Sequence, residues 1–126
     1  GRLQLLGCAM SNLRFLENHN TAYITLTNKE LDSHGFKKGD TEGLVNYGLS
    51  LKRAKLAAIF IEHKQEGIIK ISFRSKGSFD VNKFARNHFN GGGHNNASGG
   101  RSDLNLKDTI TKFTDLLTEY ELELNS

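Results

Sequence analysis

Apolar positions change their spacing several times along the chain, and each change marks an element. Leu3, Leu6, Met10, Leu13 and Leu16 recur at helical spacing, which predicts one amphipathic helix over 3–16, weakened slightly by Gly7. Over 21–27 the period drops to two: Ala22, Ile24 and Leu26 alternate with threonines and Tyr23, the pattern of a half-buried strand. Asn28 is placed to cap a short helix that Gly35 stops. Asp40 or Thr41 is placed to open another, with Leu44, Val45 and Leu49 inward. Two strands follow, 56–63 and 68–75, joined by Lys64-Gln65-Glu66-Gly67 as a hairpin. In the second strand Ile69, Ile71 and Phe73 point one way, and Lys70, Ser72, Arg74 and Lys76 the other. Asp80 caps a helix over 80–89 whose inner face is Val81, Phe84, Ala85 and His88, ended by Asn90 and Gly91. A strand over 96–101 carries Ala97 inward, and Leu106, Ile110, Phe113, Leu117, Tyr120 and Leu124 trace a final helix from Asn105. This order predicts an α/β layered domain with a mixed four- or five-stranded sheet flanked by helices.

One stretch fits none of these periods. GGGHNNASGG, Gly91 to Gly100, holds five glycines, a histidine, two asparagines and a serine in ten residues. Three successive glycines cost backbone entropy, and the return expected is a concave run of N–H groups of the kind that binds an anion. His94 stands directly beside it. The pattern is neither a Walker loop nor GxGxxG between a strand and a long helix. It reads as a phosphate site, with Gly91, Gly92, Gly93, His94, Asn96, Ala97 and Ser98 as its members. Arg74 lies just upstream, and its planar fork matches phosphate oxygens.

Gly-Gly-Gly-His followed by Asn-Asn-Ala-Ser-Gly resembles the signature of the DHH-associated domain, the C-terminal half of DHH-family phosphoesterases. Two upstream stretches agree with it in the right order. Thr41-Glu42-Gly43-Leu44-Val45-Asn46-Tyr47 resembles the TEG-plus-VN stretch of the oligoribonuclease and phosphoadenosine-phosphate phosphatase branch within the RecJ-like superfamily. Ser72-Phe73-Arg74-Ser75 resembles the S-x-R-S strand end, whose arginine contacts substrate phosphate. The likeness runs over 39–101. It implies phosphate contacts from Arg74, Ser75 and the glycine stretch, with Glu42, Asn46, Lys76 and Arg101 as secondary candidates. It also implies a longer parent enzyme, in which residues 1–20 form a linking helix and 21–126 the substrate-binding domain. Its catalytic N-terminal DHH domain holds the metals, typically manganese. The substrate class implied is a short RNA or a small phosphorylated nucleotide.

Composition narrows this only a little. The chain has 126 residues, a net charge of +3 and one cysteine, Cys8, which excludes an internal disulfide and fits a reducing, cytoplasmic setting. No signal peptide and no membrane-spanning run is legible. The five histidines, His19, His34, His63, His88 and His94, form no HxxxH and no His–Cys cluster, and there is no Asp-His-His. The expectation is therefore no metal site, no cofactor bound by this domain, no catalytic residue in it, and no activity of the chain by itself. Two other classes stay open: a non-catalytic RNA-binding module similar to the one that ends alanyl-tRNA synthetases, and a structural or dimerisation domain, a homodimer included.

Overall fold

A computed structural model describes residues 1–37 and 39–126. Its centre is one sheet of six strands in the order β1-β2-β3-β4-β6-β5. They are β1 (Arg14–Leu16), β2 (Thr21–Leu26), β3 (Leu56–His63), β4 (Ile68–Ser75), β5 (Gly92–His94) and β6 (Ala97–Ser102). The sheet is mixed: β2 and β3 run parallel, and every other pair is antiparallel. The parallel crossover carries α2 (Asn28–Ser33) and α3 (Val45–Leu49). Helix α1 (Arg2–Asn12) precedes β1, α4 (Val81–His88) connects β4 to β5, and α5 (Leu106–Leu117) and α6 (Glu121–Leu124) close the chain.

The strand count exceeds the four or five expected, because two short segments pair at the edges. The first helix ends at Asn12 rather than Leu16: Leu13 turns to extended backbone at ψ 132°, and Arg14–Leu16 pairs with β2. Asn12 holds that break, its Nδ2 donating to the Thr25 carbonyl at 2.8 Å and to Glu30 Oε2 at 2.8 Å. The buried residues of α1 are Leu5 and Ala9, while Leu3 is 81% exposed. The other added strand, β5, lies inside the glycine stretch.

Several boundaries shift by a residue or a turn. Thr27, not Asn28, caps α2, in a reciprocal box with Glu30. Turns rather than a capped helix occupy 39–44, and α3 begins only at Val45 with no side-chain cap. The final helix is interrupted by a 3-10 turn at Thr118–Tyr120.

Two apolar clusters sandwich the sheet. One holds Phe60, Ile69, Ile71 and Phe73 against Val81, Phe84, Ala85 and Phe89 of the α4 region and Phe113, Leu117 and Leu124 of the C-terminal segment. The other holds Ala22, Ile24, Leu26, Ala57 and Ile59 under α1, α2 and α3. Strand β3 is therefore buried on both faces, which explains its unbroken apolar run. No residue of β4, β5 or β6 belongs to the second cluster. Among the described residues that half carries no apolar cluster, although α3 reaches it at β4, and it bears the polar residues of the glycine region.

Candidate phosphate-binding site

The site is built by the hairpin of β5 and β6 against the end of β4. Asp80 starts α4, its Oδ1 accepting from the Lys83 N–H at 3.1 Å. Apolar Val81, Phe84 and Ala85 seat the helix on the sheet. Asn90 then reverses the chain with φ 49°, and a turn at Asn95-Asn96 joins β5 to β6. Gly91 is required by close approach: a β-carbon there would sit 1.9 Å from the Gly99 carbonyl oxygen. At Gly93 it would sit 2.8 Å from the Ala97 carbonyl oxygen, on backbone at φ 156°.

The glycines do not present the open run of N–H groups expected of a nest. Gly91 N–H donates to the Ala85 carbonyl at 3.2 Å, and Gly93 N–H donates to Asn82 Oδ1 at 2.9 Å. Their bare backbone instead lets β5 lie tight against β6 and α4. The row beside them is what the fold aligns. Arg74 on β4 is paired with Ala97 on β6, and Ala97 with His94 on β5. Cross-strand partners share a face, so Arg74, Ala97 and His94 form one row on the open half of the sheet. His94 is exposed, and Arg74 is half-buried with Nη1 donating to its own neighbour's carbonyl, Phe73 O, at 2.9 Å.

The remaining candidates divide by role. Ser75 and Ser98 are buried and tie the frame: Ser75 Oγ donates to Phe79 O at 2.6 Å, and Ser98 Oγ to Val81 O at 2.8 Å. Asn96 locks the turn to β4, its Nδ2 donating to Ser75 Oγ at 2.9 Å and to Gly77 O at 3.1 Å. Lys76 is exposed, with Nζ 3.1 Å from the Leu51 carbonyl. Glu42 and Asn46 are exposed on the α3 side and do not hydrogen-bond the hairpin among the described residues. Gly48 of the same helix packs over Ala57, the β3 residue directly opposite Arg74. Arg101 is not in the row; it pairs with Lys70, four residues from Arg74 along β4.

A groove of about 450 Å³ runs along this face, lined among others by Lys70, Ser72, Gly91, Gly92, Gly99 and Arg101. The cations that line it are partnered: Lys70 Nζ is 2.9 Å from Glu66 and Arg101 is 3.8 Å from Asp103. The hydrogen bond from Lys70, with its charge, holds the Glu66 carboxyl below the usual carboxylate range. Outside that lining, Arg74, Lys76 and His94 have no carboxylate partner among the described residues.

Sequence reasoning missed Asn82 and Arg86. They are four apart on the flank of α4, outside its apolar face, and the structure turns that flank toward β5. The outward i, i+4 pairing was the available signal, but nothing in the chain order tells which flank meets the glycines.

Among the described residues, no three or more His, Cys, Asp and Glu side chains stand together as a metal-ligand set. No helix is long and apolar enough to cross a membrane among the described residues.

The chain is 38% identical to an exopolyphosphatase-related protein from Bacteroides fragilis, with a TM-score of 0.94, over 99% of this chain and 36% of that one. A pGpG-specific phosphodiesterase from Vibrio cholerae shares the fold at 16% identity and a TM-score of 0.60, over 94% of this chain and 36% of that one. The chain thus spans about a third of the length of these proteins. No match is found among proteins of curated function. The model of the DHHA1 domain matches residues 18–121, so the chain belongs to the DHHA1 domain family.

Proposed function

We propose that this chain grips the phosphate of a short oligoribonucleotide or small phosphorylated nucleotide for a phosphoesterase whose catalytic centre lies in a companion N-terminal DHH domain. The observation that carries the reading is the row Arg74–Ala97–His94, two phosphate-matched donors flanking a single small residue on an open, uncompensated face. A guanidinium fork binds phosphate oxygens in a fixed plane, and an imidazole N–H adds a second direction. Gly92 and Gly99, facing each other across β5 and β6, keep the neighbouring surface low. None of these contacts reads a base, so the domain would hold many nucleotides alike. The TEG stretch at Thr41 to Gly43 favours the oligoribonuclease and phosphoadenosine-phosphate phosphatase branch. The names of the similar proteins, one exopolyphosphatase-related and one a pGpG-specific phosphodiesterase, belong to the same phosphate chemistry.

In that arrangement the domain contributes position rather than bond-breaking. Holding the phosphate fixed beside a separate metal centre makes attack effectively intramolecular. Manganese would be supplied and held by the companion domain.

The test is activity of the chain with and without its parent. The isolated 126-residue chain, given diadenylate and manganese, is expected to leave it intact, while the parent protein hydrolyses it. Turnover by the repurified chain alone would contradict the division of labour. A parent that binds diadenylate but never cleaves it would favour the RNA-binding module instead.

A further inference from the structure

On the first face of the sheet, Val81, Phe84, Phe113 and Leu117 of α4 and α5 pack on Phe60, Ile71 and Phe73 of β3 and β4. The cover thins toward β2. Tyr23 and Thr25 are only half-buried there, although the Tyr23 ring meets Phe60 and Phe113 edge-on at 6.2 and 6.5 Å. With Leu106 and Ile110 of α5 they line a groove of about 430 Å³, whose cations are Arg14 and Lys107. Arg14 is held in place, its Nη1 donating to the carbonyls of Ser11 and Leu13 at 3.1 and 3.0 Å. Neither cation has a carboxylate partner among the described residues.

The same chain carries the complement of this groove. Leu122 of α6 is 86% exposed, and Glu119, Glu121 and Glu123 around it are exposed with no cationic partner among the described residues. A lone exposed leucine needs no explanation. One set among unpaired acids, in a chain whose apolar groove is set among unpaired cations, is matched to that groove in both shape and charge. The two do not meet within one molecule. Lys107 lies in the first turn of α5 and Glu121 beyond its end, about 20 Å away at 1.5 Å per residue. Lys107, Ile110 and Thr114 share one flank of α5 at spacings of three and four, and the first two line the groove. Lys107 and Glu121 are each seven residues from Thr114. A second copy laid antiparallel along this flank, with the two-fold axis at Thr114, sets each Lys107 against the other copy's Glu121 and each Leu122 over the other copy's groove. Such a contact is self-complementary and closed. We propose that the chain forms a two-fold homodimer by this reciprocal exchange, which lays the partner's C-terminal segment over the half-covered β2. The proposal goes beyond the phosphate reading and does not depend on it.

Sedimentation equilibrium of the 126-residue chain tests it, from about 10 μM to about 1 mM, the range in which a small contact associates. The wild-type chain is expected to pass from monomer to dimer, and added salt should weaken the dimer. Leu122→Ser removes a side chain that stands in solvent in the monomer, so Tm should hold while the dimer weakens about tenfold or more, the loss expected for one buried leucine. Lys107→Glu and Glu121→Lys should each weaken it alone. The chain carrying both changes should recover, because opposite charges again face each other across the axis. A wild-type chain that stays monomeric throughout overturns the proposal. So does a dimer that Leu122→Ser leaves intact, or a double variant no stronger than its single parents.

Discussion

Arg74 and His94 are 20 positions apart in the chain, yet they stand on the same face of the sheet with only Ala97 between them. Three strands at about 4.8 Å spacing place their backbones about 10 Å apart, the gap that the proposed phosphate would bridge. The glycine hairpin creates this relationship, because it folds β5 back beside β6 and brings His94 into line with β4. A larger residue in place of Ala97 would fill the space between the two donors.

Arg74→Ala is therefore expected to weaken phosphorylated ligands by about 1.5–3 kcal/mol, the range for a hydrogen bond to a charged partner. Stability should change little, since among the described residues the guanidinium's hydrogen-bond partner is the adjacent Phe73 carbonyl. Thermal unfolding beside a titration with diadenylate checks both. A collapse in Tm with unchanged affinity in the folded fraction would make Arg74 a structural residue.

Gly91→Ala should be the most damaging single change in the glycine stretch. A methyl group cannot stand 1.9 Å from the Gly99 oxygen, so β5 must separate from β6. The expected loss is about 1–3 kcal/mol or more, the range for forced overpacking. At Gly92 the nearest atoms belong to Asn82 and Arg86 side chains, which yield more easily, although the backbone there has φ 155°. Urea denaturation of the two variants should rank Gly91→Ala below Gly92→Ala. The reverse order would mean that backbone angle, not contact with β6, sets the glycine requirement.

Most of the architecture is legible in the chain because period and burial agree. Both long strands lie where alternation and the Glu66-Gly67 link put them, and the helix capped by Asp80 keeps its inward Val81, Phe84 and Ala85. The edge strands escape the same reasoning. Arg14-Phe15-Leu16 is too short to show alternation and continues a helical spacing by accident, so only pairing with β2 defines it. Gly92 and Gly93 have no side chains to alternate at all. The residues of the site were visible as types, but that Ser75 and Ser98 face the frame while Arg74 and His94 face solvent follows from strand register. Register is a property of the paired sheet and has no local signature.

Away from the site, Glu30 links stability to pH. Burial opposes its charge, but hydrogen bonds from Asn12, the Thr27 backbone, Cys8 and the Thr27 hydroxyl outweigh that cost and lower its pKa. The stabilisation is present above the unfolded glutamate value of about 4.3 and is lost as pH falls through the lower folded value. Wild type and Glu30→Gln should differ in denaturation midpoint near neutral pH and converge in acid. Parallel curves at all pH values would deny Glu30 this role.

The same cluster quiets the lone thiol. Burial first, then its hydrogen bond to Glu30 and that residue's negative charge, push the Cys8 pKa up. Alkylation by iodoacetamide at neutral pH should be slower than for an unhindered thiol, and Glu30→Gln should accelerate it. Rapid alkylation of the folded wild-type chain would contradict the shielded state.

The most direct measurement is a double-mutant cycle on Arg74 and His94, read as binding of 5′-phosphorylated diadenylate to the folded chain by nuclear magnetic resonance. If both donors grip one phosphate, the resonances of Arg74, Ala97 and His94 shift together on titration. Arg74→Ala and His94→Ala should each weaken binding, and the double variant should lose less than the sum of the two, because the second deletion removes a contact already compromised. Strictly additive losses, or shifts centred elsewhere on the sheet while both single variants bind normally, would contradict a shared phosphate site on this row.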